Sequence, residues 1–344
     1  MRALLRCSSA RVFSTAFIGF GLFFLCAVSG VAAPPRSIKT VHGRGNIRVA
    51  MDNIGNIGLS DWFLVQFGRT EATRDPFTGD KVYAIEYPRG SRTRYALQGT
   101  LMIGARVGRD SLVSRSNGEF FAESDAFSNF TYESRNAGSS LFSPDAKSDF
   151  DIISVYVDTF VVNSGPDSRP HIPLGLKITQ RAMSWTPTHI DDFVIYRYEV
   201  ANIGNKMLED VWIGMYGMGA VQTVLGFFDS TGIKNDELTG FLKTFPAPGN
   251  CPFRDTLNIA YEIDADGDPV GGGRIGSTWG DQSARSALGL MWLELPPAKD
   301  GGRPAINYNW WVSPEVFGPT KRAYLGSSTR DDVFPFITHF ALDH

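Results

Sequence analysis

Hydrophobic and polar residues alternate with a period of two along most of this chain, and the clearest case is residues 193–216. Val194, Tyr196, Tyr198 and Val200 share one face of an extended segment, with Arg197 and Glu199 on the other. A second run sets Val211, Ile213 and Met215 against Trp212 and Gly214, and Asn202-Ile203-Gly204-Asn205-Lys206 between them is rich in turn formers. The pair is expected to form a β-hairpin. Further strands are expected over Asn46–Met51, Trp62–Phe67, Val82–Tyr87, Tyr95–Val107, Ile152–Val162, Leu174–Trp185, Leu257–Ile263, Ala287–Leu295 and Ile306–Val312. They are dense in Val, Ile, Tyr, Trp and Phe and are separated by Gly, Pro, Asn and Asp clusters. Almost no window has helical spacing with caps. The expected fold class is all-β, a large antiparallel β-sandwich.

Three stretches break the alternation. Residues 68–81 read as a polar loop, and the tail from Pro319 is polar before it ends in an aromatic run. Residues 115–149 are crowded with Ser, Asn, Asp and Phe and mark the expected boundary between an N-terminal β-rich part, 34–149, and a main sandwich, 150–344. The two parts are also compatible with one continuous domain.

The N-terminus has a different pattern. Arg2, Arg6 and Arg11 precede the apolar run Val12–Val28, then small residues Ser29-Gly30-Val31-Ala32-Ala33 and Pro34-Pro35. Basic lead, apolar core and small-residue site in that order predict a signal peptide over 1–33, with a retained anchor as the alternative. Phe23-Phe24-Leu25 stand where small residues would precede a lipidated Cys26, which argues against a lipoprotein. Cleavage would remove Cys7 and Cys26 and leave Cys251 without an intrachain partner, so stability must come from core burial. The 33 Lys and Arg less three leader arginines leave 30 against 36 Asp and Glu. That mild negative balance carries no basic stripe and excludes a nucleic-acid partner. After the leader no apolar run is long enough to span a bilayer as a helix. The expected location is outside the cytoplasm: secreted, at the cell surface or periplasmic.

A collinear set of short motifs extends from about residue 45 to 320. Tyr87-Pro88-Arg89-Gly90-Ser91, Gly99-Thr100-Leu101-Met102-Ile103-Gly104-Ala105 and Asp110-Ser111-Leu112-Val113-Ser114 open it. Pro173–Arg181, Asp191–Ile195, Asn202–Asn205, Leu208–Val211, Asn258-Ile259-Ala260, Asp264–Pro269 and Asn309-Trp310-Trp311 follow in order. In these motifs the chain resembles a group of exported, mostly hypothetical bacterial β-rich proteins. Many of those carry a C-terminal sorting domain of the Bacteroidetes-type secretion system. The resemblance implies an exported β-rich surface or secreted protein and transfers no catalytic residue. Two departures stand out. Tyr216-Gly217-Met218-Gly219 occupies the place of an acidic Asp-x-Asp, and no sorting domain is read before His344. The first removes a possible metal or polar site, and the second implies a shortened member or another export route.

Candidate chemistry is sparse. Asp264, Asp266 and Asp268 stand at alternate positions around Gly267 and could together supply about three of the six to eight oxygens that Ca²⁺ takes. The same residues also suit a solvated turn. His42, His171, His189 and His339 lack metal-ligand spacing and are read as surface or loop residues. His189 beside Asp191 and Asp192 is read as a solvated turn. No Gly-x-Ser-x-Gly signature is present, and Gly271-Gly272-Gly273 lacks the strand–helix context of a phosphate cradle. Glu199, Glu262 and Asp192 could be nominated as glycosidase carboxylates, but nothing pairs them.

Adjacent Trp310 and Trp311 must point to opposite faces of a strand, so one indole could stack on a sugar ring beside the amides of Asn307 and Asn309. The expected function is therefore an exported, non-catalytic structural or binding protein, with a glycan or another cell-surface component as its partner. The alternatives are a carbohydrate-binding module and, further off, a glycoside hydrolase-like enzyme.

Overall fold

Alternation along the sequence becomes alternation of burial in the computed structural model. It describes residues 38–58, 73–82, 84–91, 93–116, 119–123, 130–161, 170–223, 238–244, 256–264 and 284–308. The expected leader, the expected strand Trp62–Phe67 and most of Ile306–Val312 lie outside these residues. Strand and turn account for the regular structure, and no helix occurs among the described residues. The chain is all-β, and every ladder between named strands is antiparallel.

Seven strands make the largest sheet: β1 (Lys39–His42), β2 (Arg48–Asp52), β3 (Asn56–Gly58), β6 (Ile85–Glu86), β7 (Thr93–Val107), β8 (Asp110–Arg115) and β14 (Glu209–Thr223). Its path runs β1-β2-β3-β7-β14, with β6 and β8 paired off it. A second, five-stranded sheet contains β9 (Phe121–Ala122), β10 (Thr131–Glu133), β11 (Phe150–Asp158), β12 (Leu176–Ser184) and β13 (Ile195–Asn202). Two smaller sheets complete the set. One pairs β4 (Thr73–Arg74) with β5 (Lys81–Val82), and the other orders β15 (Leu238–Thr244), β16 (Thr256–Ile263) and β17 (Ala287–Met291).

The core follows from the pleat. On β12, Leu176, Ile178, Gln180 and Ala182 are buried while Lys177, Thr179 and Arg181 are half-buried. The inward set meets Tyr156 on β11 and, from the large sheet, Leu101, Ile103, Ala105 and Leu112, with Phe120 and Leu174 completing the cluster. A second cluster joins Met51 of the large sheet to Phe130, Phe150, Ile152 and Ala182. Each buried Leu, Ile, Met or Phe among them contributes about 1.5–3 kcal/mol through removal from water. Leu288 of the β15–β17 sheet packs beside Val49, Ile57, Ile85 and Ala96 of the large sheet.

The expected hairpin over 193–216 does not form. Both halves are strands, but β13 pairs with β12 and β14 pairs with β7, so the two lie in different sheets. β13 keeps the predicted facing, whereas a bulge between Glu209 and Trp212 on β14 leaves Val211 exposed while Ile213 and Met215 face the core. The turn between them is a crossover. It is clamped to Gly175, whose carbonyl accepts both Ile203 N–H at 2.9 Å and Gly204 N–H at 3.0 Å. Gly175 has φ of +79°, and a Cβ there would sit 2.9 Å from Gly204 Cα, so glycine is needed for the close approach. β14 also carries a segment from beyond residue 150 along nearly the full length of β7, so the large sheet draws strands from both sides of the 115–149 stretch. The compact unit that holds all the described residues is Pro34–His344.

Candidate functional site

Among the described residues, a dense group of reactive side-chain types lies around Asp158, at the end of β11. The pleat aims this residue inward, and its carboxylate is completely shielded from water. An isolated buried carboxylate is costly unless its lone pairs are satisfied. Here Ser114 Oγ donates to Oδ2 at 2.5 Å, Leu174 N–H donates to Oδ2 at 2.7 Å, and His171 Nε2–H reaches Oδ1 at 2.5 Å. On the far side of the imidazole, Glu119 Oε2 is 3.9 Å from Nδ1, and the same oxygen accepts Arg115 N–H at 3.1 Å. Ser114, Asp158 and His171 are wholly buried, and Glu119 nearly so.

This is a serine, a histidine and two carboxylates, but not a nucleophile–base–orienter chain. The serine bonds to the carboxylate and not to the imidazole, so the imidazole is not placed to take its proton. What the cluster does is join elements. Ser114 belongs to β8 of the large sheet, Asp158 to β11 of the other, and His171 and Leu174 to the segment leading into β12. Gly175 N–H, next in sequence, donates to Asp158 O at 3.1 Å, and Lys206 Nζ reaches Pro173 O at 2.5 Å. One carboxylate thus anchors the segment that clamps the crossover turn.

A second inter-sheet link is His42 on β1. Its Nε2–H is shared between the carbonyls of Phe150 at 3.1 Å and Ala182 at 3.2 Å, on β11 and β12. Burial pushes the imidazole down to about 4, against the opposing pull of those two carbonyls. Paired across β1 and β2 with Lys39, Asp52 is also buried. Its carboxylate accepts Asn56 N–H at 2.9 Å, Asn56 Nδ2 at 2.7 Å and Ile54 N–H at 3.1 Å. Burial nevertheless raises it to about 6. The expectation of a surface or loop position fails for His42, a strand residue, and His171 does lie in a loop but not at the surface. Both are fully buried, because each has backbone or carboxylate partners from a sequence-distant strand. His189 is exposed, as expected, and His339 lies outside the described residues.

The surface offers a groove of about 410 Å³ lined by Arg44, Arg135, Asn136, Asp149, Phe150 and Thr186, among others. Its polar groups are turned on one another. Asp149 Oδ2 accepts Thr186 N–H and Oγ1–H, each at 3.0 Å, and Asp149 Oδ1 is 3.7 Å from Arg135 Nε. The Arg44 guanidinium lies 4.8 Å from the Phe77 ring centroid and 4.9 Å from that of Phe150. The two rings meet edge to face at 87°, so the guanidinium makes a cation–π contact with each of a perpendicular pair.

Of the residues singled out in the sequence, Asp264 follows β16 and is buried, while Asp266 and Asp268 lie outside the described residues. Among the described residues no three or more His, Cys, Asp or Glu are arranged to hold a metal. Asn307 is half-buried, with an Oδ1 that has no partner among the described residues. Its neighbour Tyr308 stacks on Phe241 at 5.4 Å between ring centroids. Asn309, Trp310 and Trp311 lie outside the described residues. Glu199 and Asp192 are exposed and Glu262 is half-buried.

Sequence reasoning missed the Asp158 cluster because Ser114, Glu119, Asp158 and His171 share no local motif. Asp158, on the same face as Tyr156 and Ile152, was the available signal, since a carboxylate on an apolar face needs a buried partner. Compared with known proteins, the chain matches no family model, no curated protein and no solved structure.

Proposed function

We propose that this chain is an exported β-sandwich protein with a structural or binding role at the cell surface or outside the cell. The observation that carries the reading is the state of its reactive side chains. Ser114, Asp158 and His171 are sealed from water and bonded to one another and to backbone, so they join strands and do not face a substrate. A catalytic group must reach the proton or atom it acts on, and these do not. The order of basic lead, apolar run and small residues before Pro34 supports export. Two sheets that contribute to shared clusters, one of them spanning Leu101, Ile103, Tyr156 and Ile178, support the sandwich arrangement.

The test is expression of the full chain in a Gram-negative host, with fractionation and intact-mass measurement. The reading expects a product outside the cytoplasm that lacks residues 1–33. A cytoplasmic product of full mass would defeat it. The binding role is tested on the same product with a glycan array. Retention of one glycan class, lost in Trp310→Ala or Trp311→Ala, would make it a carbohydrate-binding module. Turnover of any retained glycan would overturn the non-catalytic reading.

A further inference from the structure

The outer edge of β13 carries an interaction surface. Among the described residues β13 is the last strand of its sheet and pairs with β12, over eight residues in unbroken register from Ile195 to Asn202. Among the described residues no ladder occupies its other side. An open edge is a template for another strand, and proteins that keep such an edge single blunt it with proline, lysine, a bulge or a covering loop. The segment Ile-Tyr-Arg-Tyr-Glu-Val-Ala-Asn has no proline, no lysine and no bulge, and its second half is exposed. Val200, on the face whose other residues Val194, Tyr196 and Tyr198 are half-buried, is 40% exposed.

From this edge and its charge pattern we infer that β13 pairs antiparallel with β13 of a second copy of this chain, about a two-fold axis at Tyr198. The charge order fixes both the partner and the register. Arg197 and Glu199 lie on the outer face, one residue to each side of Tyr198. Antiparallel pairing centred on Tyr198 sets Arg197 of each copy opposite Glu199 of the other. Centring on Arg197 or Glu199 would set like charges face to face, which is unfavourable for directly opposed residues. The same register sets Tyr196 opposite Val200, an aromatic–β-branched pair that covers the exposed valine. The interface is isologous, as two-fold dimers require. Within one chain Arg197 Nη2 and Glu199 Oε1 already lie 2.9 Å apart with both side chains about 60% exposed. Exchanging that exposed pair for two equivalent pairs across the axis costs little. The result is one continuous sheet through both copies, made by strand addition.

Sedimentation velocity of the full chain over a concentration series tests this, with Arg197→Glu, Glu199→Arg and the double exchange. Both side chains are exposed, so the variants keep the fold, which far-ultraviolet circular dichroism checks. The expected result is a reversible dimer that each single reversal weakens at least about tenfold and the double exchange restores. An equimolar mixture of the two single variants should dimerise where neither does alone, because the wholly acidic edge of Arg197→Glu then faces the wholly basic edge of Glu199→Arg. A parent that stays monomeric up to millimolar concentration overturns the proposal. So does a dimer that ignores both single reversals.

Discussion

His171 Nε2 lies 2.5 Å from Asp158 Oδ1, with both side chains closed off from water. The opposite oxygen of that carboxylate holds Ser114 and Leu174, so a single side chain ties β8, β11 and the approach to β12 together. Removing one member of a buried, bonded pair leaves the other uncompensated, at about 3–5 kcal/mol. Asp158→Ala is expected to lose stability on that scale, and Ser114→Ala about 1–3 kcal/mol. Urea denaturation gives both values. Hydrogen exchange at the Leu174 and Gly175 amides should accelerate in Asp158→Ala before exchange in β12.

The crossover depends on the same anchor. Gly175→Ala must place a Cβ at positive φ and within 2.9 Å of Gly204 Cα. Strain of about 1–3 kcal/mol is expected. Thermal unfolding should show the drop. Gly79, also at positive φ but with open space around its Cβ position, serves as the comparison and should lose less.

His42 and Asp52 produce opposite pH dependences in nearly the same window. His42 falls from 6.5 unfolded to about 4 folded, so the stability of its neutral form is complete above pH 6.5 and is lost as pH drops toward 4. Asp52 rises from 3.8 to about 6, so its contribution is complete below pH 3.8 and is lost as pH climbs through 6. Each shift corresponds to roughly 3 kcal/mol, so between pH 4 and 6 the two largely cancel. Relative to the parent, His42→Gln should show stability falling as pH rises across this window. Asp52→Asn should show stability rising. Denaturation midpoints at pH 4, 5, 6 and 7 separate the two slopes.

Arg48 on β2 donates two hydrogen bonds from Nη2 to the carboxylate of Glu86 on β6, at 2.9 and 3.0 Å, with both residues buried. Glu86 Oε1 also accepts Gly90 N–H at 2.7 Å. Glu86→Ala leaves the buried guanidinium, among the described residues, with Asp80 alone, whose Oδ2 accepts from Arg48 Nη1 at 3.1 Å, and is expected to cost about 3–5 kcal/mol. In the double variant Arg48→Met, Glu86→Leu most of that loss should return. A double-mutant cycle by denaturation measures the coupling.

Strand positions were largely legible because a pleated strand buries alternate side chains. Tyr95–Val107, Leu174–Trp185 and Leu257–Ile263 fall on β7, β12 and β16 for that reason. Which strand pairs with which was not. A period of two reports that a segment has one buried face, and a short turn after it suggests a hairpin, yet β13 and β14 part company at Gly204. The information that separates them sits at Gly175 and Lys206, in contacts between residues about thirty apart. Short strands such as β1 and β3 were missed because three or four residues carry too little alternation. The buried cluster was invisible for a related reason: its members span residues 114–174, and lone histidines look alike whether wet or dry.

Diethyl pyrocarbonate labelling, read residue by residue by mass spectrometry, tests most directly whether the Asp158 cluster is a fastening and not a working site. The native protein should be modified at His189, with His42 and His171 protected until the chain is unfolded in urea. Native modification of His171 at a rate close to that of His189 would show the cluster open to solvent and contradict the account.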